Sequence, residues 1–297
     1  MHTTVLLHET IDGLALAEGD VVFDLTLGDG GHAAAACRAV GASGTVVGID
    51  ADEAAIRRAT QKLSAEPCRF LSARENFRNI DEVARQHKVG AINKIIMDLG
   101  LRTGHLEESG RGFSFKKDEP LLMTFDSAPG EGVLTAYEVV NTWSEQDLTD
   151  IIREYGEERF ARPIAQAIVA ERGKKRVGTT AHLAEIVESA VPAWYRRARL
   201  HPATKTFQAI RMAVNDELPA LQEALEKGVA LLAREGRIAV ISFHSLEDRV
   251  VKNFFRTQEK EGGYRQITKK PIVPSRGEVA RNPRSRSAKL RILEKEK

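Results

Sequence analysis

The segment VVFDLTLGDGGHAAAA, at residues 21–36, constrains the fold of this chain more than any other. A short apolar run leads into an acid and three glycines, Gly28, Gly30 and Gly31, and an alanine-rich stretch follows. This pattern predicts a strand, a glycine turn and a helix. Because such a turn leaves backbone N–H groups and a helix N-terminus facing an open crevice, we interpret it as part of a cofactor-binding site.

Short apolar segments alternate with helical patterns on both sides of this turn. Strands are predicted at residues 21–24, 45–50, 69–72, 94–98 and 237–242, with two late strands at 264–268 and 289–293. Helices are predicted at residues 33–39, 52–63, 80–86, 217–234 and 246–255. The alternation predicts an α/β fold with a doubly wound, mostly parallel sheet.

The middle of the chain loses this alternation. Residues 103–203 show no evident strand, and Leu148, Ile151, Ile152 and Tyr155 recur at helical spacing behind a Ser144 cap. We therefore expect an inserted helical domain for substrate recognition. The division predicted is a discontinuous domain of residues 1–102 and 204–297, interrupted by a helical domain of residues 103–203.

Composition narrows the class of protein. The 297 residues are 42% apolar and 29% charged, and they contain neither a long apolar run nor a signal-peptide pattern. We therefore expect a cytoplasmic protein with no membrane partner. Cys37 and Cys68 belong to no CxxC or Cys/His cluster, which predicts two reduced thiols, no disulfide and no metal site.

Three cofactor classes compete for the glycine turn. A dinucleotide fold would show G-x-G-x-x-G, whereas Ala33 fills the last glycine position here, and no GK[ST] follows for a P-loop. The spacing D-x-x-x-G-x-G, with Asp24 before Gly28, fits an S-adenosylmethionine pocket better. Glycines let the backbone approach the cofactor, and Asp24 can meet its methionine amino group directly or through water.

Three later residues have positions that suit such a cofactor. Asp50 closes the second strand, where it either accepts hydrogen bonds from the ribose hydroxyls or caps the next helix. Phe77 follows the third strand and either packs beside adenine or belongs to the core. Asp98 ends the fourth strand and should point into the crevice where the transferable methyl group would lie.

Several segments resemble the ribosomal small-subunit methyltransferase H family over nearly the whole chain. They are HTTVLLHE (2–9), DLTLGDGGH (24–32), RGFSF (111–115), YGEERFA (155–161), HPATKTFQAIRMAVNDEL (201–218), ISFHSLEDRVVK (241–252) and NPRSRSAKLR (282–291). The resemblance implies a seven-stranded, Rossmann-like methyltransferase sheet that ends in an antiparallel pair. It also implies S-adenosylmethionine-dependent methylation of the exocyclic N4 of a cytosine in the decoding region of 16S rRNA.

The resemblance also assigns cofactor contacts. Gly30, Gly31 and His32 match the G-G-H of the family, and Asp50, Phe77 and Asp98 fall on its ribose, adenine-side and crevice positions. The chain departs from the family pattern after the fourth strand. Where the family commonly has D-L-G-V-S-S-x-Q, this chain has DLGLRTGHL, which puts His105 at the glutamine position and makes the loop bulkier and more basic.

For the reaction, Asp98 is the first candidate to hold the cytosine amine and favour loss of its proton, the alternative being contact with the cofactor alone. The sulfonium supplies the electrophile, so no metal is expected. Residues 264–297 contain 11 Lys or Arg against 3 Asp or Glu, which favours RNA contact. Candidate contacts to the substrate RNA are His201, Lys205, Arg211, His244, Arg284 and Arg286.

Three functional hypotheses remain at this point. The first is a cytosine-N4 methyltransferase acting on 16S rRNA within the small ribosomal subunit, as a monomer or a homodimer. The second is the same fold methylating another RNA base or a protein. The third is a nonenzymatic cofactor- or RNA-binding protein.

Overall fold

The structure is a computed structural model that describes residues 4–101, 110–127, 130 and 132–296. Its strands form a single seven-stranded sheet within these ranges. The strands are β1 (Val21–Asp24), β2 (Thr45–Asp50), β3 (Arg69–Arg74), β4 (Ile92–Asp98), β5 (Leu232–Ser242), β6 (Tyr264–Gln266) and β7 (Lys289–Lys295). Their order across the sheet is β3-β2-β1-β4-β5-β7-β6. The predicted α/β class is confirmed.

Strand directions and register decide which strand ends meet. β1 pairs in parallel with β2 and β4, and β4 pairs in parallel with β5. β7 runs antiparallel to both β5 and β6, which confirms the predicted terminal antiparallel pair. Asp24 is in register with Ile96, and Asp98 with Ile241. The carboxyl ends of β1, β4 and β5 therefore lie along one edge of the sheet.

Helices and turns connect these strands. The helices are α1 (Leu7–Leu14), α2 (Gly31–Val40), α3 (Glu53–Leu63), α4 (Ile80–Gln86), α5 (Ala136–Thr142), α6 (Glu145–Glu154), α7 (Ala161–Arg172), α8 (Thr180–Ser189), α9 (Ala193–Arg196), α10 (Ala203–Val214), α11 (Glu217–Leu231), α12 (Ser245–Glu261) and α13 (Arg276–Arg281). Short 3-10 turns cover Phe77–Asn79 and Pro283–Ser287. Among the described residues, none of these helices combines the length and apolarity needed to cross a bilayer.

The chain divides into two compact units. The sheet unit comprises Met1–Gly100 and Leu218–Lys297, and the helical unit comprises Leu101–Glu217. Neighbouring residues of a strand point to opposite faces, so Phe23 joins the core on one face of the sheet and Val22 the core on the other. Both faces are covered, as a parallel sheet requires. The helical unit has a separate core, built around side chains such as Leu148 and Ile152.

The predicted boundary between the helix at residues 217–234 and the strand at 237–242 is wrong. The helix predicted at residues 217–234 ends at Leu231, because Leu232 pairs with Ile92 and starts β5. The register between β4 and β5 then shifts around Glu235, which takes a left-handed φ of 59°. Local periodicity does not encode this pairing with a distant strand, and the extra residues of β5 are accommodated as a bulge.

The prediction of two reduced thiols is also wrong. Cys37 lies in α2 and Cys68 immediately before β3, and the two form a disulfide with a Cα–Cα distance of 5.0 Å. Strand pairing explains why residues 31 apart in sequence meet, since β3 lies beside β2 with Thr45 in register with Arg69. Sequence spacing alone does not show this proximity.

Candidate functional site

Three acidic residues end three adjacent parallel strands of the sheet unit. Asp24 ends β1, Asp50 ends β2 and Asp98 ends β4. In open α/β sheets, ligands bind in the crevice outside the carboxyl ends of the strands. The predicted site residues Asp24, Asp50 and Asp98 thus lie at the edge where a ligand site is expected.

The glycine turn between β1 and α2 has a backbone that favours glycine. Gly28 and Gly30 have φ values of 54° and 70°, and Gly30 is the N-cap of α2. A Cβ on Gly31 would lie 1.9 Å from the Thr4 hydroxyl oxygen, and a Cβ on Gly30 would lie 3.2 Å from the Ala59 Cβ. The backbone conformation and the close neighbours therefore favour glycine at the start of α2.

Asp50 ties the glycine turn to the end of β2. Its carboxylate accepts hydrogen bonds from the Gly28 N–H at 2.9 Å and from the Asp52 N–H at 2.8 Å. The N-cap of α3 is Asp52, whose side chain accepts from the Ala54 N–H, so Asp50 is not the helix cap that was the alternative. Each oxygen of a carboxylate can accept more than one hydrogen bond, so Asp50 can also accept from a ligand hydroxyl.

Asp24 is buried beneath the glycine turn. Its carboxylate accepts from the Thr26 N–H at 3.2 Å, yet burial, together with the Asp50 carboxylate, raises its pKa to about 7. Desolvation disfavours the charged form of such a group. A cationic ligand group would favour the ionised form and lower this pKa again.

Asp98 lies opposite the start of α2. Its Oδ2 is 3.7 Å from Nδ1 of His32, and its backbone N–H donates to the Thr26 hydroxyl oxygen at 2.6 Å. His32 Nε2 lies 3.2 Å from the Val5 carbonyl oxygen, which can only accept, so this nitrogen carries a proton. Burial, and then the Asp24 and Glu247 carboxylates, raise the pKa of Asp98 well above its ordinary value.

The second oxygen of Asp98 is the distinctive atom of the site. Oδ1 is buried and has no hydrogen-bond partner among the described residues. A buried polar atom without a partner costs free energy, and such atoms concentrate where a ligand binds. The buried carboxyl groups of Asp24 and Asp98, whose pKa values are both raised, lie next to a glycine turn and suit a ligand that carries positive charge and N–H donors.

Glu247 and Thr26 are site residues that sequence reasoning missed. Glu247 is 3% exposed, and its Oε2 accepts from the backbone N–H groups of Phe243 and His244 at 2.8 and 3.3 Å. The segment HSLE, in which an N-cap residue precedes a glutamate by three positions, is the signal that could have identified Glu247. Thr26 follows Asp24 by two positions, and only the packing of β1 against β4 brings its hydroxyl to Asp98.

His244 has a structural role in the helix that follows β5. It is the N-cap of α12, and its Nδ1 accepts from the Glu247 N–H at 3.4 Å in a capping box. Ser245 followed by Asp248 three positions later is a pattern that predicts a cap at Ser245, and this prediction is wrong because the cap lies one residue earlier. Ser242 ends β5 with its hydroxyl 3.4 Å from the Lys289 carbonyl oxygen.

Phe77 and His105 are the other two predicted cofactor contacts. Phe77 starts the 3-10 turn after β3 and packs, half-buried, against the core that contains Phe23. This is the core position that was the alternative to an adenine contact, and the side chain remains partly exposed. His105 lies outside the described residues.

Three predicted RNA contacts lie in the helical unit, where each has a partner within the unit. His201 Nε2 is 2.7 Å from a Glu188 carboxylate oxygen, and Lys205 donates to the Glu157 carbonyl oxygen at 2.8 Å. Arg211 is 8% exposed and forms a bidentate ion pair with Glu217 at 2.7 and 2.8 Å. Arg211 is thus engaged by a carboxylate and has little surface to offer a phosphate.

Two further pairs of basic residues lie in different surroundings. Arg284 and Arg286 are exposed on the 3-10 turn Pro283–Ser287 of the sheet unit. Arg172 and Arg176 donate to the carbonyl oxygens of Val140 and Asn141, which belong to the end of α5, where carbonyl groups lack partners within the helix. Arg172 and Arg176 thus stabilise a helix terminus.

The fold defines the class of protein. A seven-stranded sheet in this order, with β7 antiparallel between β5 and β6, is that of S-adenosylmethionine-dependent methyltransferases. The crystal structure of a candidate rRNA methylase from Clostridium thermocellum has this fold, with a TM-score of 0.50 at 14% identity. The structural match covers 100% of that chain and 99% of this one.

The sequence then places the chain within that class. The profile of the MraW methylase family matches residues 1–296, and this chain belongs to that family. It is similar to proteins named ribosomal RNA small subunit methyltransferase H. The one from Carboxydothermus hydrogenoformans is 46% identical over 99% of this chain and 97% of its own. The one from Persephonella marina is 43% identical over 99% of both chains.

Proposed function

We propose that this chain transfers the methyl group of S-adenosylmethionine to the exocyclic N4 of a cytosine in the decoding region of 16S rRNA, within the small ribosomal subunit. The observation that carries the proposal is the buried Oδ1 of Asp98, which has no hydrogen-bond partner among the described residues and lies at the carboxyl edge of the sheet. The names of the relatives support rRNA of the small subunit as the substrate.

The residues of the sheet unit fit the cofactor. Asp24 would face its amino group, Asp50 its ribose hydroxyls and Phe77 its adenine, while the turn at Gly28 and Gly30 admits it close to the backbone. Bound there, S-adenosylmethionine supplies an electrophilic methyl group on a positively charged sulfonium. The mutual repulsion of the buried carboxylates is relieved by a cation, which supports a charged cofactor over a neutral one.

Asp98 would hold the cytosine amine. The N4 lone pair is conjugated into the ring, so the site must align the nitrogen and accept its proton as the new bond forms. Oδ1 of Asp98 can accept a hydrogen bond from one N4–H, and its raised pKa makes it a stronger base than an ordinary carboxylate. Alignment by this hydrogen bond would contribute a large share of the rate enhancement.

His32 and Thr26 would keep Asp98 in place. The protonated Nε2 of His32 is held by the Val5 carbonyl, so its Nδ1 remains directed toward Oδ2 of Asp98. The Thr26 hydroxyl accepts from the Asp98 N–H and fixes the backbone at the strand end. These contacts leave Oδ1 as the oxygen directed to the substrate amine.

One experiment tests the proposal. Small ribosomal subunits from a strain that lacks the modification are incubated with the protein and S-adenosylmethionine labelled in the methyl group, and the label is located by nucleoside analysis and fragment mapping. The proposal predicts N4-labelled cytidine in the decoding region of 16S rRNA and no label with Asp98→Ala. Label on another base or on a ribosomal protein, or cofactor binding without transfer, would reject it.

A further inference from the structure

The helical unit carries an exposed aromatic patch beside a run of arginines. The aromatic patch consists of Arg159, Phe160, Trp194 and Tyr195. Trp194 is 59% exposed, although tryptophan is usually buried to a large extent. The arginine run is Arg196, Arg197 and Arg199, all of which are exposed.

The buried carboxylate of Glu158 fixes two residues of the patch. Glu158 is 1% exposed and accepts a hydrogen bond from the Tyr195 hydroxyl at 2.5 Å. Its other oxygen accepts from the Phe160 N–H at 2.9 Å. Tyr195 and Phe160 are therefore fixed by hydrogen bonds, and both pack edge-to-face against Trp194 with ring centroids 5.8 and 6.0 Å away.

Arg159 places a planar cation among these rings. Its guanidinium carbon lies 4.5 Å from the centroid of Trp194, 5.0 Å from Tyr195 and 5.2 Å from Phe160. Such cation–π contacts hold the guanidinium in position. An indole and an arginine plane, preorganised and open to solvent, are surfaces on which unstacked nucleobases stack.

The segment that carries Trp194 and the arginine run is basic. Residues 189–202 contain three arginines and no aspartate or glutamate. Aromatic rings next to several arginines match a single-stranded nucleic acid, which presents a stackable base and a phosphate at each nucleotide. An acidic protein segment would match the charge but would not use the aromatic surface in this way.

We propose that Trp194 stacks on an unpaired base of the substrate RNA while the arginine run contacts the adjacent phosphates. This inference rests on the proposed action on rRNA, and it adds to the site at Asp98 a second contact, in the helical unit, that would hold the unpaired strand. It assigns recognition of single-stranded RNA to the aromatic patch and the arginine run together.

A fluorescence titration tests the proposal, because the chain has only two tryptophans. In a full-length Trp143→Phe protein, Trp194 is the sole indole. A single-stranded RNA of roughly 10 nucleotides is expected to quench its emission, and the same strand in a duplex to quench it far less. Trp194→Ala should weaken binding of the single strand by about 5- to 100-fold.

Two controls separate stacking from charge and from misfolding. Tyr137→Ala removes another exposed aromatic side chain of the helical unit, and it should leave RNA affinity unchanged. Replacing Arg196, Arg197 and Arg199 with glutamine should lower the salt dependence of binding by about 0.7 in slope for each phosphate that is no longer neutralised. Each variant is accepted only if its thermal unfolding matches that of the parent protein.

The outcomes are separable from those of the proposed function. Unchanged RNA affinity in Trp194→Ala, or an indole that responds to small-subunit ribosomal proteins and not to RNA, would overturn the stacking proposal. Quenching by single-stranded RNA together with label on a base other than cytosine would support the patch and reject the proposed target. Transfer to cytosine N4 without quenching would reject the patch alone.

Discussion

Nδ1 of His32, in the first turn of α2, lies 3.7 Å from Oδ2 of Asp98, at the end of β4. This pair spans the crevice between the glycine turn and the neighbouring strand. As a result, the two oxygens of Asp98 have different surroundings. Oδ2 faces the imidazole, whereas Oδ1 is buried without a hydrogen-bond partner in the described part of the chain. The site thus presents one buried acceptor in a fixed orientation.

Cofactor binding should depend on pH through Asp24. Its pKa in the folded protein is about 7, raised by burial from an ordinary 3.8, so the carboxyl is largely protonated below pH 7. If the cofactor amino group requires the carboxylate, affinity rises with pH by up to about tenfold per unit below pH 7 and levels off above it. Isothermal titration at several pH values measures this slope.

The matched control for Asp24 is an exposed acid in the same turn. Asp24→Asn should remove the pH dependence, whereas Asp29→Asn, whose side chain is 38% exposed, should retain it. The raised pKa also affects the free protein, since a folded-state pKa above the unfolded value means that stability falls as pH rises from about 4 to 7. A slope that persists in Asp24→Asn would contradict this assignment.

The glycine turn should not tolerate a side chain at Gly30. Gly30→Ala places a Cβ 3.2 Å from the Ala59 Cβ in a left-handed conformation, which should cost about 1–2 kcal/mol in the free energy of unfolding. Urea denaturation measures the change. Gly90→Ala is the control, because a Cβ at Gly90 meets nothing within 4 Å. Equal stability of the two variants would show that the turn is not constrained as described.

Substitution of Arg211 should lower the stability of the protein rather than its affinity for RNA. Breaking a buried, bidentate ion pair is strongly destabilising, so Arg211→Ala should lower the free energy of unfolding by about 3–5 kcal/mol. Arg286→Ala, at an exposed position, should change it by less than about 0.5 kcal/mol. A stable Arg211→Ala protein with weakened RNA binding would instead favour a phosphate contact.

His244 should be replaceable by another capping residue. His244→Ala removes the side-chain acceptor at the N-cap of α12 and should cost about 1 kcal/mol, whereas His244→Ser should restore most of that stability. Thermal unfolding and methyl transfer are measured on both variants. A stable but inactive His244→Ser protein would show that the imidazole contacts the substrate.

Local sequence is sufficient to predict much of the sheet and the position of the site. The apolar runs at Val21–Asp24 and Thr45–Asp50 become β1 and β2 with unchanged bounds, because each is short, apolar and ends at an aspartate. The acids at their ends follow from the same reasoning, since the carboxyl ends of parallel strands meet at one edge. Chain order and strand polarity are therefore enough to assemble Asp24, Asp50 and Asp98.

Contacts between distant segments cannot be predicted in this way. Cys37 and Cys68 meet because β3 pairs with β2, and Arg211 meets Glu217 because the chain turns between α10 and α11. The sequence shows Arg211 only as a cation near a proline-marked loop, a pattern that predicts a phosphate contact. Burial and partners, which decide between those roles, depend on tertiary packing.

The most direct test of the account is the rate of methyl transfer by Asp98→Asn under single-turnover conditions. Asparagine keeps the size of the side chain but cannot take the proton, so the rate should fall by about 10²–10⁴-fold while cofactor affinity changes little. Retained cofactor binding separates the absence of a proton acceptor from a misfolded site. A variant that transfers the methyl group at close to the wild-type rate would contradict the central role assigned to Asp98.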